Sequence, residues 1–417
     1  MSRLATLLCL SLLITLPPAV RADDAAPAAA SAAAASDAEK PKETSSTTRH
    51  SLSLNGQSLS YTATAGTLLI KNDKDEPTAS MFYVAYTLDG VKDLRRRPVT
   101  FLFNGGPGSS SMWLHMGSFA PVHVLTADGQ PTPPAPYQLV DNPNSLLDKT
   151  DLVFVDAVGT GFSKTVGKGE GKDFYGVDQD IKAFGQFIQR YIGVNGRWNS
   201  PKFLLGESYG TTRAAGLADW LQDKGMALNG VVLVSSWLIP YDGLFGPAYA
   251  IDEAYELSIP TMAATAWYHD KLSPKPADLD AFLKDVRAFA LGDYATALAK
   301  GSKLSTAERQ AVAQKLAAYT GLSSDYILKA NLRVSADRFE KELLRDQGRT
   351  TGRLDARFLG IDHDAAGEYT EYDAADAAFA PAIVGAFNDY VRSQLGFGKD
   401  LVYKPTSYDV GNDWDWH

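Results

Sequence analysis

Hydrophobic and polar residues alternate along the chain between His50 and Tyr86. Alternation with a period of two predicts strands that bury one face and expose the other. Asn55 and Gly56 separate two of the alternating runs, and an Asn-Gly pair in that position is typical of a tight hairpin turn. A third alternating run, Ser80–Tyr86, follows. The pattern therefore predicts that a sheet begins with antiparallel strands.

Four later runs are short and fully apolar, and each leads into a turn rich in glycine or serine. They are Val99–Phe103, Asp151–Asp156, Phe203–Leu205 and Val231–Val234. Runs without alternation fit central strands that are covered on both faces. Helical periodicity between the last three runs predicts two helices, at Val177–Ile192 and at Thr211–Gln222 with Gly225 as a stop. The order of elements predicts a doubly wound α/β sheet.

The pattern changes again after Pro240. From about residue 241 to residue 395, Ala, Leu, Asp and Lys recur at helical spacing, and no strong buried strand interrupts them. We therefore predict an α/β core at residues 49–240, a helical cap insertion at 241–395 and the start of a return to the core at 396–417.

The N-terminus has the pattern of a secretory signal peptide. A short basic start, Met1–Arg3, precedes the apolar run Leu4–Leu16, and small residues follow up to Ala22. The run is well short of the roughly 20 residues that span a bilayer, so we predict cleavage after Ala22 and no membrane span afterwards. Residues 23–48 are rich in Ala, Ser and Thr and lack aromatic residues, which predicts a disordered linker.

Composition narrows the possible partners and compartments. The 417 residues carry a formal net charge of −9 and have a pI near 5.2, which argues against a nucleic-acid partner. Cys9, the single cysteine, lies inside the predicted signal peptide, and the sequence has no N-x-S/T glycosylation motif. Both features favour a bacterial periplasmic or secreted protein. No cluster of histidines or cysteines has metal-ligand spacing, so we expect neither a metal nor an organic cofactor.

The segment G-E-S-Y-G, Gly206–Gly210, stands between a predicted strand and a predicted helix. A sharp turn in that context raises a serine side chain above the sheet edge, and the two glycines permit the turn. The helix that begins there directs free N–H groups toward a developing oxyanion. The context therefore predicts that Ser208 is a nucleophile.

Two further glycine-rich turns follow predicted strands. In N-G-G-P-G-S-S-S, Asn104–Ser111, the Gly106 N–H is the natural partner of the Tyr209 N–H in an oxyanion hole. A phosphate loop is excluded at this segment because no G-K-[ST] follows. The turn D-A-V-G-T-G-F-S, Asp156–Ser163, lies at the edge of the sheet where ligands bind, and we expect it to contribute to a pocket wall.

These three motifs, in this order, resemble the signature of the serine carboxypeptidase family within the α/β-hydrolase superfamily, over roughly residues 60–240. The resemblance implies a peptide substrate and acyl transfer by a Ser–Asp–His triad that releases a C-terminal amino acid. It also implies that Asn104 and Glu207 bind the terminal carboxylate of the substrate. Two bare carboxylates repel each other, so Glu207 must be protonated in that role, and we expect a preference for acidic conditions.

The chain departs from the family pattern at two positions near these motifs. Ser118 stands where the family has a second glutamate, which weakens the expectation of a carboxyl pair, and Ser109 stands where a cysteine is usual. The change at Ser109 fits a branch of the family without disulfides.

Partners for Ser208 are not evident from the sequence. The histidines of the chain are His50, His115, His123, His269, His363 and His417. None follows a buried strand and precedes a final helix, as the triad order Ser, Asp or Glu, His requires. We therefore expect a chain that is C-terminally incomplete relative to its family and catalytically incomplete. A prolyl-type aminopeptidase, an acyltransferase and a non-catalytic peptide-binding pseudoenzyme remain as alternatives.

Overall fold

The computed structural model describes residues 40–238 and 252–416. The predicted signal peptide, most of the predicted linker and His417 lie outside the described residues. The strands are β1 (Ser45–Leu54), β2 (Gln57–Lys71), β3 (Pro77–Leu88), β4 (Val99–Phe103), β5 (Val122–Val124), β6 (Leu139–Asp141), β7 (Asp151–Val155), β8 (Lys164–Thr165), β9 (Lys202–Glu207), β10 (Gly230–Val234), β11 (Arg349–Thr351) and β12 (Leu359–Ile361).

Helices fill most of the intervals between and after the strands. They are α1 (Met112–Leu114), α2 (Val177–Val194), α3 (Tyr209–Asp223), α4 (Glu253–Tyr268), α5 (Leu279–Phe289), α6 (Ala295–Lys300), α7 (Thr306–Thr320), α8 (Ser324–Lys329), α9 (Ala336–Glu342), α10 (Ala374–Ser393) and α11 (Tyr408–Asn412). None of these described helices is both long enough and apolar enough to cross a bilayer.

The main sheet is mixed, which confirms the predicted α/β class. Its strands follow the spatial order β1-β2-β3-β7-β4-β9-β10, and β8 pairs with β3. Pairing is antiparallel from β1 to β7 and parallel from β7 through β4 and β9 to β10. The hairpin between β1 and β2 turns at Asn55 and Gly56, with φ values of 51° and 75°, as a type I′ turn requires.

Both faces of the sheet are covered. Helices α2 and α3 pack against one face with Phe101, Phe103 and Val153 of the central strands. Helices α1 and α10 pack against the other face, where Leu102 and Phe154 point. Strands β4 and β7 are buried at every residue, which agrees with their unbroken apolar sequences.

The prediction that Val231–Val234 forms a central strand covered on both faces is wrong. Within the described residues this segment, in β10, pairs only with β9 and ends the sheet. Its side chains are exposed, by 39% at Val231, 46% at Val232 and 39% at Leu233. An apolar run indicates that a segment prefers burial, but it does not predict whether the strand lies at the centre or at the edge of the sheet.

The predicted linker boundary at residue 48 also requires correction. Ser45–Thr48 belong to β1 and pair with Ala63–Gly66 of β2. Their polar composition suggested a linker. An edge strand exposed to solvent tolerates polar side chains, however, and its backbone hydrogen bonds do not depend on their polarity.

The second half of the chain has a core of its own. Helices α4–α9 enclose an apolar cluster that includes Met262, Tyr294 and Phe339, and the antiparallel pair β11–β12 lies beside α9 and α10. After α10 the chain contacts the glycine-rich turns of the main sheet again, through bridges between Thr406 and Ser109 and between Lys404 and Gly161.

Candidate active site

Ser208 lies in the sharp turn between β9 and α3. Its φ of 57° falls in the left-handed region, which costs a residue other than glycine about 1–3 kcal/mol. The turn is tight enough that a Cβ atom at Gly206 would lie 2.0 Å from the Gly210 carbonyl oxygen, so only glycine fits there. The Ser208 N–H donates to the Val234 carbonyl at 3.0 Å, and its side chain does not cap the helix. The hydroxyl group is therefore left available for chemistry.

The Asn104–Gly108 turn lies directly beside the start of α3. A Cβ atom at Gly105 would approach the Tyr209 backbone nitrogen to 2.5 Å. In the part of the chain that the structure describes, the N–H groups of Gly106 and Tyr209 donate no backbone hydrogen bond. Two such N–H groups beside a strained serine are the arrangement that stabilises a developing oxyanion. Their role remains a prediction.

Asn104 and Glu207 form a direct hydrogen bond at the mouth of the two turns. The Asn104 Nδ2 group donates to Glu207 Oε2 at 2.9 Å. The Leu114 N–H donates to Asn104 Oδ1 at 2.9 Å, which fixes the orientation of the amide because only its oxygen accepts. The Asn104 side chain is thus held in place, and Glu207 presents its carboxyl group beside Ser208.

A cavity of about 1220 Å³ contains the predicted site. It is lined by Asn104, Gly106, Glu207 and Ser208 together, and also by Ser118, one of the two departures from the family pattern. This volume exceeds the roughly 300–1,000 Å³ that is usual for small-ligand pockets. Its other walls include Trp113, Leu114, Met116, Arg353, Asp373, Asp376, Phe379 and Ile383.

The C-terminal segment, residues 396–416, contributes an aromatic wall to the cavity that the sequence did not indicate. Trp416 lines the cavity, and its ring centroid lies 5.8 Å from Tyr209 and 5.5 Å from Trp237. Trp414 packs on Tyr209 at 5.1 Å. The Tyr209 ring is therefore packed from the side of the C-terminal segment.

The Asp156–Ser163 turn, which we expected to form part of a pocket wall, does not line this cavity. It anchors the C-terminal segment: the Tyr403 hydroxyl donates to Asp156 Oδ2 at 2.9 Å. The Ser111 N–H donates to Asp156 Oδ1 at 2.8 Å. Burial nevertheless raises the pKa of Asp156 to about 7, and these hydrogen bonds only partly offset that effect.

The histidines of the described chain lie in separate places. Of those described, only His123 lines the cavity. His115 is buried, stacks on Phe154 at 4.4 Å and shares a hydrogen bond of 2.6 Å with the Tyr86 hydroxyl. Burial lowers the pKa of His115 to about 3, so its ring stays neutral. No histidine of the described residues forms a hydrogen bond with Ser208.

Two charged residues beneath the site were missed by the sequence analysis. Arg213 of α3 and Asp180 of α2 form a buried ion pair, with Arg213 Nε donating to Asp180 Oδ2 at 2.6 Å. Their spacing of 33 residues gives no local signal. A charged pair inside two otherwise amphipathic helices was the only available indication. No group of three or more metal-ligating side chains occurs among the described residues.

The sequence model of the serine carboxypeptidase family matches residues 56–273, just over half of the chain. The chain belongs to the serine carboxypeptidase family. The match includes every motif from which the site above was predicted. As a member of this family, the chain belongs to the hydrolases, and its α/β fold class is the one predicted from the sequence.

Curated relatives of this family match over shorter stretches. The pheromone-processing carboxypeptidase KEX1 of Saccharomyces cerevisiae is 32% identical over 145 residues, which cover 33% of this chain and 19% of the yeast protein. The enzyme of the same name from Ogataea parapolymorpha is 27% identical over 187 residues, or 43% of this chain and 28% of that protein. The match thus spans less than a third of either relative.

One solved structure matches over more of the chain. The crystal structure of the prohormone-processing carboxypeptidase KEX1(delta)p from Saccharomyces cerevisiae covers 85% of this chain and 68% of its own, at 17% identity and a TM-score of 0.46.

Proposed function

We propose that this protein is a serine-type carboxypeptidase that acts through Ser208, although the sequence led us to expect a catalytically incomplete chain. The hydroxyl oxygen of Ser208 attacks the carbonyl carbon of the last peptide bond, and the C-terminal amino acid leaves with the proton. Water then hydrolyses the acyl ester and regenerates the serine. The observation that carries the proposal is the shared cavity, which is lined by Ser208, by Gly106 and by the hydrogen-bonded pair of Asn104 and Glu207.

The proposed substrate is a peptide with a free C-terminal carboxylate. The Asn104 amide and a protonated Glu207 would bind that carboxylate, while the N–H groups of Gly106 and Tyr209 would stabilise the oxyanion. The large cavity provides space for more than the terminal residue. An aminopeptidase of the prolyl type would instead require recognition of a free amine.

Two measurements test the proposal. A fluorophosphonate probe reports an activated serine, so we expect labelling of the wild type and none of Ser208→Ala. Ser235→Ala is the matched control, because Ser235 is also a serine with positive φ, 52°, that follows a strand at the same edge. Release of amino acids from N-blocked dipeptides should exceed release from free-amine prolyl substrates.

The opposite results would contradict the proposal in different ways. An unlabelled wild type would indicate a peptide-binding pseudoenzyme, and faster turnover of free-amine prolyl substrates would indicate an aminopeptidase. Loss of labelling in Ser235→Ala would show that the probe reports the integrity of the edge rather than Ser208.

Export is part of the same proposal. It is supported by the basic start, apolar run and small residues that end at Ala22. In a bacterial host, the exported protein should begin at Asp23 when its N-terminus is sequenced. An N-terminus at Met1 in the cytoplasmic fraction would contradict this part of the proposal.

A further inference from the structure

The ion pair between Arg213 and Asp180 lies immediately below the predicted oxyanion site. Arg213 Nε and Nη2 donate to the two oxygens of Asp180 at 2.6 and 3.2 Å. The side chains are exposed by only 1% and 4%. A buried pair of this kind is often neutral or costly for stability compared with an apolar pair. Its place beside the site therefore calls for another explanation.

The third bond of Arg213 connects it to the glycine-rich turn. Arg213 Nη1 donates to the Asn104 carbonyl oxygen at 2.6 Å. That carbonyl belongs to the peptide unit between Asn104 and Gly105, and the next peptide unit carries the Gly106 N–H. Arg213 itself lies one helical turn after Tyr209 on α3. One guanidinium group thus joins the two segments that carry the oxyanion N–H groups.

Aromatic rings hold the guanidinium group in this position. Its central carbon lies 4.2 Å from the ring centroid of Phe184, 5.3 Å from that of Phe103 and 5.2 Å from that of Tyr209. The Tyr209 hydroxyl also donates to Asp180 Oδ2 at 3.3 Å. The planar group is therefore restrained both by hydrogen bonds in its plane and by rings packed around it.

We propose that Arg213, held by Asp180, is a positioning residue that sets the distance between the Gly106 and Tyr209 N–H groups. This inference rests on the proposed function of Ser208. Arg213 does not line the cavity, and Asp180 balances its charge. It consequently acts on the reaction through the backbone of the two segments and not through its own charge.

A matched control lies at the opposite edge of the same sheet. Arg197 Nη1 donates to Asp151 Oδ2 at 2.6 Å, and its side chain is exposed by 3%. Arg197 Nη2 donates to the Arg97 carbonyl at 2.7 Å. It is thus a second buried arginine that joins a carboxylate to a backbone carbonyl, but at the amino ends of the parallel strands.

Replacement of each arginine by lysine separates positioning from stability. Lysine keeps the charge but provides one ammonium group in place of a planar fork, so it cannot make all three bonds. We expect Arg213→Lys to lower the rate of fluorophosphonate labelling and kcat by about tenfold to hundredfold with KM unchanged, because oxyanion donors act on the transition state. Arg197→Lys should lower Tm but leave labelling and kcat within about twofold of the wild type.

The comparison is made well below the Tm of both variants. Equal labelling rates for wild type and Arg213→Lys, or equal losses in Arg213→Lys and Arg197→Lys, would overturn the inference and leave the proposed function intact. An unlabelled wild type would overturn both. If Arg213→Lys does not fold, Asp180→Asn replaces it. This variant keeps the bond to Asn104 but loosens the guanidinium group, and a labelling rate equal to that of the wild type would overturn the inference.

Discussion

A buried aspartate stands at each end of strand β7, and the two aspartates have different hydrogen-bond partners. At the amino end, Asp151 accepts hydrogen bonds from Arg97 Nε at 2.9 Å and Arg197 Nη1 at 2.6 Å. At the carboxyl end, Asp156 accepts from the Ser111 N–H, the Phe162 N–H and the Tyr403 hydroxyl. Within the described residues no lysine or arginine pairs with Asp156. The charge of the buried aspartate is thus paired with arginines at the amino edge but not at the carboxyl edge.

This difference extends to the backbone of the two edges. The carboxyl edge contains Ser208 in a strained conformation, together with the Gly106 and Tyr209 N–H groups, which donate to no backbone acceptor among the described residues. At the amino edge, Arg197 also donates to Ser200 Oγ at 2.7 Å, and that hydroxyl donates to the Leu94 carbonyl at 2.7 Å. Functional sites commonly hold such strain and unsatisfied groups. We infer that the amino edge provides stability and the carboxyl edge carries the chemistry.

The largest effect on stability should come from the amino edge. Asp151→Ala leaves the charges of Arg97 and Arg197 buried without a carboxylate. Breaking a buried ion pair costs about 3–5 kcal/mol. We expect the free energy of unfolding, measured with urea, to fall by that amount, while kcat at a temperature where the variant stays folded is unchanged.

An exposed ion pair serves as the control for this variant. Asp346 pairs with Lys271 at 3.0 Å with its side chain 67% exposed, so Asp346→Ala should change the free energy of unfolding by less than about 1 kcal/mol. A similar small change for Asp151→Ala would contradict the stabilising role of the amino edge.

The fold was largely predictable because local sequence and tertiary structure agree. The apolar runs at Val99–Phe103 and Asp151–Asp156 and the Asn55–Gly56 turn identify strands that the structure contains. The position of β10 at the end of the described sheet was not predictable, since the order of strands depends on long-range pairing. The start of β1 at Ser45 was missed because its polar residues carry no signal of burial.

Asp156 makes stability depend on pH at the carboxyl edge. Burial raises its pKa from 3.8 to about 7, so the folded protein keeps a proton that the unfolded chain loses between these values. The contribution of Asp156 to stability is therefore fully present below about pH 4 and is lost as pH rises toward 7, by at most about 1.4 kcal/mol per pH unit. Asp156→Asn should remove this slope because an amide does not titrate, and the amide can still accept from the Ser111 N–H and donate to the Tyr403 hydroxyl.

The measurement is the difference in unfolding free energy between Asp156→Asn and the wild type at pH 4, 5, 6 and 7. The buried Glu340, whose pKa is raised to about 8, contributes equally to both proteins and cancels in the difference. Parallel curves for the two proteins would show that Asp156 does not titrate in this range.

The site was predictable where a motif places its residues close together in sequence. Ser208, Glu207 and Tyr209 come from one turn, and Asn104 and Gly106 from another, and the structure brings all of these together. The contributions of Arg213, Asp180 and Trp416 were not predictable. They depend on packing between segments as far apart as α2, α3 and the C-terminal segment, and none carries a local pattern.

The smallest of these effects concerns Glu207. This carboxyl group at the carboxyl edge is hydrogen-bonded to the neutral Asn104 side chain, whereas Asp151 at the amino edge is bonded to two arginines. Glu207→Ala removes the carboxyl group that would bind the substrate carboxylate, so KM for a peptide with a free C-terminal carboxylate should rise about fivefold, the value of one hydrogen bond of about 1 kcal/mol. Glu207→Gln keeps both a side-chain donor and an acceptor for Asn104, so its KM should stay within about twofold of the wild-type value.

Asp376→Ala is the control for Glu207→Ala, because Asp376 also lines the cavity but belongs to α10. It should keep the wild-type KM, and for peptides with a C-terminal amide neither variant should change KM. If KM of Glu207→Ala equals that of the wild type, Glu207 does not bind the substrate carboxylate. The pair would then only brace the two turns, and the carboxyl edge would resemble the amino edge in being structural at this position.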